Sequence, residues 1–198
     1  MIVNQTPVLV TPPIASPVSL AQAKSQLRLD SDHEDQMVQG LLDAAASHFD
    51  GPRGVLGRCL INQVWRLSFS GWPTDRYIRL PFADVSAVSV KYRDGDNAEH
   101  TVSSGSVSIL SDATGPVVRL SSDFALASLY SDRDDAVQVT FTSGFGEDPS
   151  SVPAAIRQAI LLLVAHWYKN REAVAETSYA ELPLGVRNLI SPYRVVMV

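Results

Sequence analysis

The sequence predicts an α+β protein: a helical bundle, discontinuous along the chain, interrupted by an inserted antiparallel β sandwich or barrel. Three observations predict it. Apolar residues recur at helical spacing near both ends of the chain, the period falls to two in between, and clusters of Gly, Asp and Pro separate the period-two runs. The expected parts are an extended arm over 1–18, a helical core built from 19–60 and 150–192, a β insertion over 61–149, and a tail over 193–198.

The arm contains Pro7, Pro12, Pro13 and Pro17 and alternates Val, Leu and Ile with Thr, Pro and Ser. This composition favours an extended segment with few internal contacts, to be held by a neighbouring chain. Ser19-Leu20-Ala21-Gln22 has the form of a capping box and opens the first helix, with Leu20, Ala23, Leu27 and Leu29 as its apolar stripe. Ser31-Asp32-His33-Glu34 has the same form and is expected to open a longer helix. Met37, Val38, Leu41, Leu42, Ala45, Ala46 and Phe49 line one side of that helix, and Gly51-Pro52 ends it. The segment after it, Arg53–Leu60, reads as a loop or short helical turn.

From Ile61 the alternation is strand-like. Runs at 61–71, Tyr77–Phe82, Val85–Arg93, Thr101–Leu110, Pro116–Leu120 and Val137–Phe145 predict five to seven short antiparallel strands. Asp94-Gly95 between two runs is a hairpin signal. After Pro149 the helical period returns. Pro153 suits a first helical turn, and Ile156, Ala159, Ile160, Leu163, Val164, Trp167 and Tyr168 share one face of a helix expected to reach about 173. Leu161, Leu162 and Ala165 lie on its other face, so the helix needs cover on most sides. A shorter helix, 184–190, stops before Pro192. The expected core residues are Leu41, Leu42, Trp65, Ile160, Leu163 and Trp167.

Composition narrows the function classes. The 198 residues are 45% hydrophobic with a net charge of −5, which suits a folded domain and argues against holding DNA by phosphate neutralisation. Residues 153–198 carry a small excess of positive charge and the remainder is acidic. No run reaches the ~18 apolar residues of a membrane span, and the N-terminus lacks a signal peptide's basic and apolar regions. The expectation is synthesis in the cytoplasm with no membrane association. The single cysteine, Cys59, forms no internal disulfide and reads as a small buried hydrophobe.

Catalytic and ligand-binding patterns are weak throughout. Asp30, Asp32, Glu34 and Asp35 lack the spacing of a calcium loop and read as residues favoured at a helix start. No two of His33, His48, His100 and His166 stand four apart, and no GxSxG elbow exists. Gly144-Phe145-Gly146 is followed by Glu147-Asp148, which repel phosphate, so it reads as a turn. Arg53 and Arg58 read as solvated loop residues. Trp65 and Trp167 sit at core-like periodic positions and not on a base-stacking platform. No catalytic residue, metal ligand or cofactor is expected, and the chain is not expected to be an enzyme.

Both ends of the chain carry a resemblance. Ser19, Leu20, Ala23, Lys24, Leu27, Arg28 and Asp30, followed by Gly57, Arg58 and Gln63, resemble the start of phage head-tail connector proteins of the gp6-like type. The marks at the other end are Val152-Pro153, Ala159-Ile160, His166-Trp167-Tyr168, Arg171-Glu172, Pro183-Gly185-Val186 and Pro192-Tyr193-Arg194. The middle is similar to larger members named as candidate DNA-packaging proteins, which also occur in phage-like gene transfer agents. The resemblance implies a structural adaptor at the neck of a virion or phage-like particle. It would be a homo-oligomeric ring, dodecameric in that family, below the portal protein. It would join the portal to a stopper or tail-terminator type neck protein, and double-stranded DNA would pass through without sequence-specific binding.

Two unlike apolar faces per subunit would serve such a ring, whose contacts close by rotation. The expected interaction residues are Tyr193, Arg194, Val195, Val196, Met197 and Val198, together with Arg187 and Arg171. The tail is expected to dock into the portal or an adjacent subunit by strand addition. The alternative function is a DNA-binding packaging factor.

Overall fold

The computed structural model describes residues 6–112, 114–170 and 184–195. The chain is α+β and divides into two compact units. One, the β unit, comprises the N-terminal segment to Pro12 and Asn62–Gly144. The other, the helical unit, comprises Pro13–Ile61 and the chain from Phe145.

The helical unit begins with α1 (Leu20–Leu27). Its capping box forms as the sequence predicts: the Ser19 hydroxyl accepts from the Gln22 backbone N–H, and the Gln22 side chain accepts from the Ser19 N–H. Arg28 ends the helix in the left-handed conformation. The second expected box does not form. Helix α2 (Asp35–Phe49) has Glu34 at its cap with no side-chain bond. The Glu34 carboxylate that would close the box instead accepts from the Tyr168 hydroxyl, and Lys24 pairs with Asp32 and, at 2.7 Å, with Asp35. Helix α3 spans Ala154–Lys169 and α4 spans Leu184–Ile190. Any extension of α3 beyond Asn170 lies outside the described residues.

α3 packs against α1, α2 and α4. The unit's core joins Ala23, Val38, Leu42 and Phe49 to Ile156, Ile160, Leu163 and Val186, all fully buried. Leu41 and Trp167 are only partly buried at the edge of this cluster. Leu41 stands one step round α2 from its most buried line, and Trp167 lies in the last turns of α3. Cys59 is buried and free.

The β unit holds two antiparallel sheets. The larger has the order β1-β2-β8-β4-β5, from strands Val8–Thr11, Gln63–Phe69, Val137–Ser143, Val85–Arg93 and Glu99–Thr101. The smaller has the order β3-β7-β6, from Tyr77–Arg79, Gly115–Leu120 and Val107–Asp112. Neither sheet closes into a barrel. Strict alternation of buried and half-buried residues along β2 and β8 places Trp65, Leu67 and Phe69 with Val137, Val139 and Phe141 on the buried face. Phe82 packs between Trp65 and Phe141, with ring centroids 5.0 and 5.9 Å away.

Two expectations are corrected here. Residues 8–11 are not a free arm but strand β1, paired antiparallel with β2. Farther on, Pro17 and Val18 are buried and Val18 joins the helical core. The 101–110 run is not one strand. A single 3-10 turn at Ser104–Ser106 separates β5 from β6 and moves the chain from one sheet to the other.

Candidate interaction surfaces

Among the described residues the titratable side chains form small ion pairs at separate places in the fold. Among the described residues no group of three or more His, Cys, Asp or Glu side chains could hold a metal ion. His48 lies edge-on to Phe49 and Trp167. His100 stacks on Tyr92 and bonds Asp94 at 2.6 Å. His166, near the end of α3, has its carbonyl capped by the Asn170 side chain. The acidic stretch at the α1–α2 turn is consumed by structure. Asp32, then Asp35, raises Lys24 above its ordinary range, and Lys24 lowers Asp32 in return. Glu34 accepts from the Tyr168 hydroxyl, tying the end of α3 to the start of α2.

The clearest built feature is the loop from Asp50 to Leu60. The Gly51 N–H donates to the Arg58 carbonyl, the Val55 N–H to the His48 carbonyl, and the Asp50 carboxylate accepts from the Leu60 N–H at 2.7 Å. Arg58 is not simply solvated, because its guanidinium lies over the Phe145 ring, 5.2 Å from the centroid. Gly54 is fixed by close approach: a Cβ there would stand 2.5 Å from the Asp50 and Phe49 backbone. The result is a stiff platform inside the helical unit.

The C-terminal residues sit on that platform. After α4, a 3-10 turn at Ser191–Tyr193 brings Tyr193 against the helical core. The Arg194 Nε donates to the Val55 carbonyl at 3.3 Å, and the Val195 N–H donates to the Leu56 carbonyl at 2.9 Å. Gly57, at φ +65°, has the Val195 carbonyl 3.4 Å from where a Cβ would be. Thus Tyr193, Arg194 and Val195, expected to be part of a loose tail, are seated. Arg187 is exposed on α4, close in sequence to Leu184, which is 73% exposed. Arg171, Val196, Met197 and Val198 lie outside the described residues. The signal available in the sequence for the platform was the three-residue spacing of Gly51, Gly54 and Gly57, which periodicity analysis passes over.

The β unit has two apolar surfaces of its own. All four residues of β1 are exposed, Val8 at 53% and Val10 at 49%. Tyr77 and Leu110 are exposed on the smaller sheet. There Arg79 holds Asp112 in a two-pronged pair at 3.0 and 2.8 Å. That pair, with help from Thr114, holds the Asp112 carboxyl well below the usual carboxylate range. The helical unit also carries a groove of about 440 Å³ between the 13–17 segment and α2.

The described residues thus combine exposed apolar surfaces with a C-terminal segment seated on the helical unit. Residues 121–194 match the family described as phage gp6-like head-tail connector protein. The match covers α3, α4 and the C-terminal marks, and the N-terminal motifs lie before it. No curated protein matches the sequence.

Solved structures match along nearly the whole chain. One is a chain in the neck of an empty gene transfer agent particle computed with C6 symmetry. It is 26% identical, with a TM-score of 0.76, over 98% of this chain and 97% of that one. A chain in the virion of a native gene transfer agent particle is 27% identical, with a TM-score of 0.73 over the same shares. A third, from the neck of a native particle computed with C12 symmetry, is 25% identical, with a TM-score of 0.72 and again the same shares. The resemblance expected from the sequence therefore holds.

Proposed function

We propose that this chain is a structural adaptor in the neck of a tailed phage or phage-like particle, performing no reaction of its own. The observation that carries the reading is the end-to-end correspondence, 98% of this chain and 97% of the other, with a chain from a gene transfer agent neck. The connector-family match supports it. The similar chains come from necks computed with C6 and C12 symmetry, which supports a ring of identical copies here. Within this reading the ring lies below the portal, joins it to the next neck or tail component, and surrounds the DNA channel. A net charge of −5 suits a channel wall past which DNA slides, because clustered basic residues would bind phosphate and retard it.

The tail is the proposed docking element. Tyr193 and Val195 are seated on the helical unit, so the docking role is proposed for the residues that follow them, 196–198. Deleting 196–198 is expected to leave the fold intact and block joining of heads to tails. The decisive experiment is imaging of the native particle's neck. Density for this chain as a ring between portal and tail is the expected result, and its consistent absence from the neck overturns the proposal.

A further inference from the structure

The exposed large apolar side chains among the described residues of the helical unit are Ile14, at 76%, and Leu184, at 73%. Both stay open to solvent in the lone subunit, so neither covers the other within one copy. Each stands beside a charge, and the two charges are opposite. Ile14 lines the groove of about 440 Å³ between the 13–17 segment and α2. Pro13, Ala46 and Leu60 add to its apolar wall, and its charged lining residues are Asp43 and Asp50, with no cation among them. Asp50 is engaged by the Leu60 N–H. Asp43 is exposed and accepts from the neutral Gln39 side chain at 2.8 Å, which leaves its charge unbalanced.

Leu184 lies on α4 three residues before Arg187, a spacing that sets both on one helix face. Val186 and Ile190, four apart, form another face and are buried in the core. Arg187 is exposed and has no ion-pair or hydrogen-bond partner among the described residues.

We propose that α4 of one subunit docks into this groove on a second copy of the chain, with Leu184 against the apolar wall at Ile14 and Arg187 paired with Asp43. The inference rests on the ring reading above. Charge selects the occupant. Groove against groove would bring Asp43 against Asp43, and α4 against α4 would bring Arg187 against Arg187. Like charges disfavour both of these two-fold contacts, while the unlike pair attracts. A contact between unlike patches repeats head to tail, which is the kind that closes a ring by rotation. The groove admits a leucine side chain and the apolar stem of an arginine, whose guanidinium stays at the rim where Asp43 is exposed.

The test is charge reversal in the full chain, read as the amount of the chain carried in native particle necks. Asp43→Arg and Arg187→Asp change exposed positions, so circular dichroism and urea midpoint should match the parent. Each alone is expected to cut incorporation at least about tenfold, because a like-charge pair replaces an attractive one. The double variant Asp43→Arg/Arg187→Asp restores the attraction and is expected to return incorporation to within about twofold of the parent. Disulfide trapping gives a second readout, since the native Cys59 is buried. Oxidation of necks carrying Ile14→Cys/Leu184→Cys should give a ladder of covalent oligomers beyond the dimer, and neither cysteine alone should do so. Single reversals that incorporate normally overturn the proposal and leave the adaptor reading standing. A double variant no better than the single ones, or a cysteine pair without a ladder, means that these surfaces meet a different neck component, and the proposal is again wrong. Native necks lacking the parent chain would sink the adaptor reading itself.

Discussion

Helix α3 gives the most direct check on the helical core. Leu163 is fully buried in its middle, while Leu161, two residues earlier, is only partly buried. Leu163→Ala removes three carbons from a closed site. At ~0.8 kcal/mol per methylene-sized group the transfer loss is roughly 2.4 kcal/mol. The unfilled cavity adds to it, and buried Leu→Ala changes span about 2.7–5.0 kcal/mol, so a loss of about 3–4 kcal/mol is expected. Leu161→Ala loses only part of the transfer energy and leaves no closed cavity, so its expected cost is below about 1.5 kcal/mol. Urea unfolding followed by far-UV circular dichroism reads both. With a slope of about 2 kcal/mol per molar urea, Leu163→Ala should lower the midpoint by roughly 1.5–2 M. Equal midpoint shifts in the two variants, or a shift for Leu163→Ala under about 0.5 M, would refute α3 as the centre of this core.

Further outcomes follow from the same structure. Ser19→Ala removes the capping hydroxyl of α1 and should cost ~1 kcal/mol in urea unfolding, with Ser19→Gly costing only a few tenths. Gly54→Ala drives a Cβ into backbone 2.5 Å away, so the platform must shift. The expected loss is about 1–3 kcal/mol, with faster hydrogen exchange at the Val195 amide that the platform holds. Trp167→Ala should destabilise less than the ~3–5 kcal/mol of a fully enclosed aromatic, because Trp167 is partly exposed. Asp112 has a folded-state pKa depressed below its ordinary 3.8 by Arg79, so its stabilising contribution is complete above that value and fades as pH falls below it. In acid titrations of stability, Asp112→Asn should therefore flatten the slope below about pH 4 and leave the slope at neutral pH unchanged.

Much of the fold could be read from the sequence because local signals and tertiary packing agree. The Ser19–Gln22 box and the Leu/Ala stripe of α2 specify helices that the core then uses, and β2 alternates with no ambiguity between Gln63 and Phe69. The misreadings have physical causes. The second capping box needs the Glu34 side chain for a local cap, but the Tyr168 hydroxyl, more than a hundred residues later, engages that carboxylate. A tertiary partner is invisible to spacing. The arm was correctly extended yet wrongly free, because Pro7, Pro12 and Pro13 flank β1 in the way prolines flank edge strands. Period-two patterns do not reveal pairing between residues 8–11 and 64–66 across more than fifty intervening positions.

The contact surfaces were less legible still, and for a deeper reason. A core residue reveals itself through the period of its own element, whereas a docking residue depends on which elements end up beside it. Ile14 and Asp43 come from the 13–17 segment and α2, and only the packing of one beside the other sets them in one groove. The seat for Val195 likewise needs Leu56 and Gly57, which join no periodic run. An assembly protein keeps its functional information in such juxtapositions. Exposed apolar positions such as Val8 and Val10 bury little surface within the subunit, so a charged substitution there should leave stability nearly unchanged, the reverse of what Leu163→Ala does.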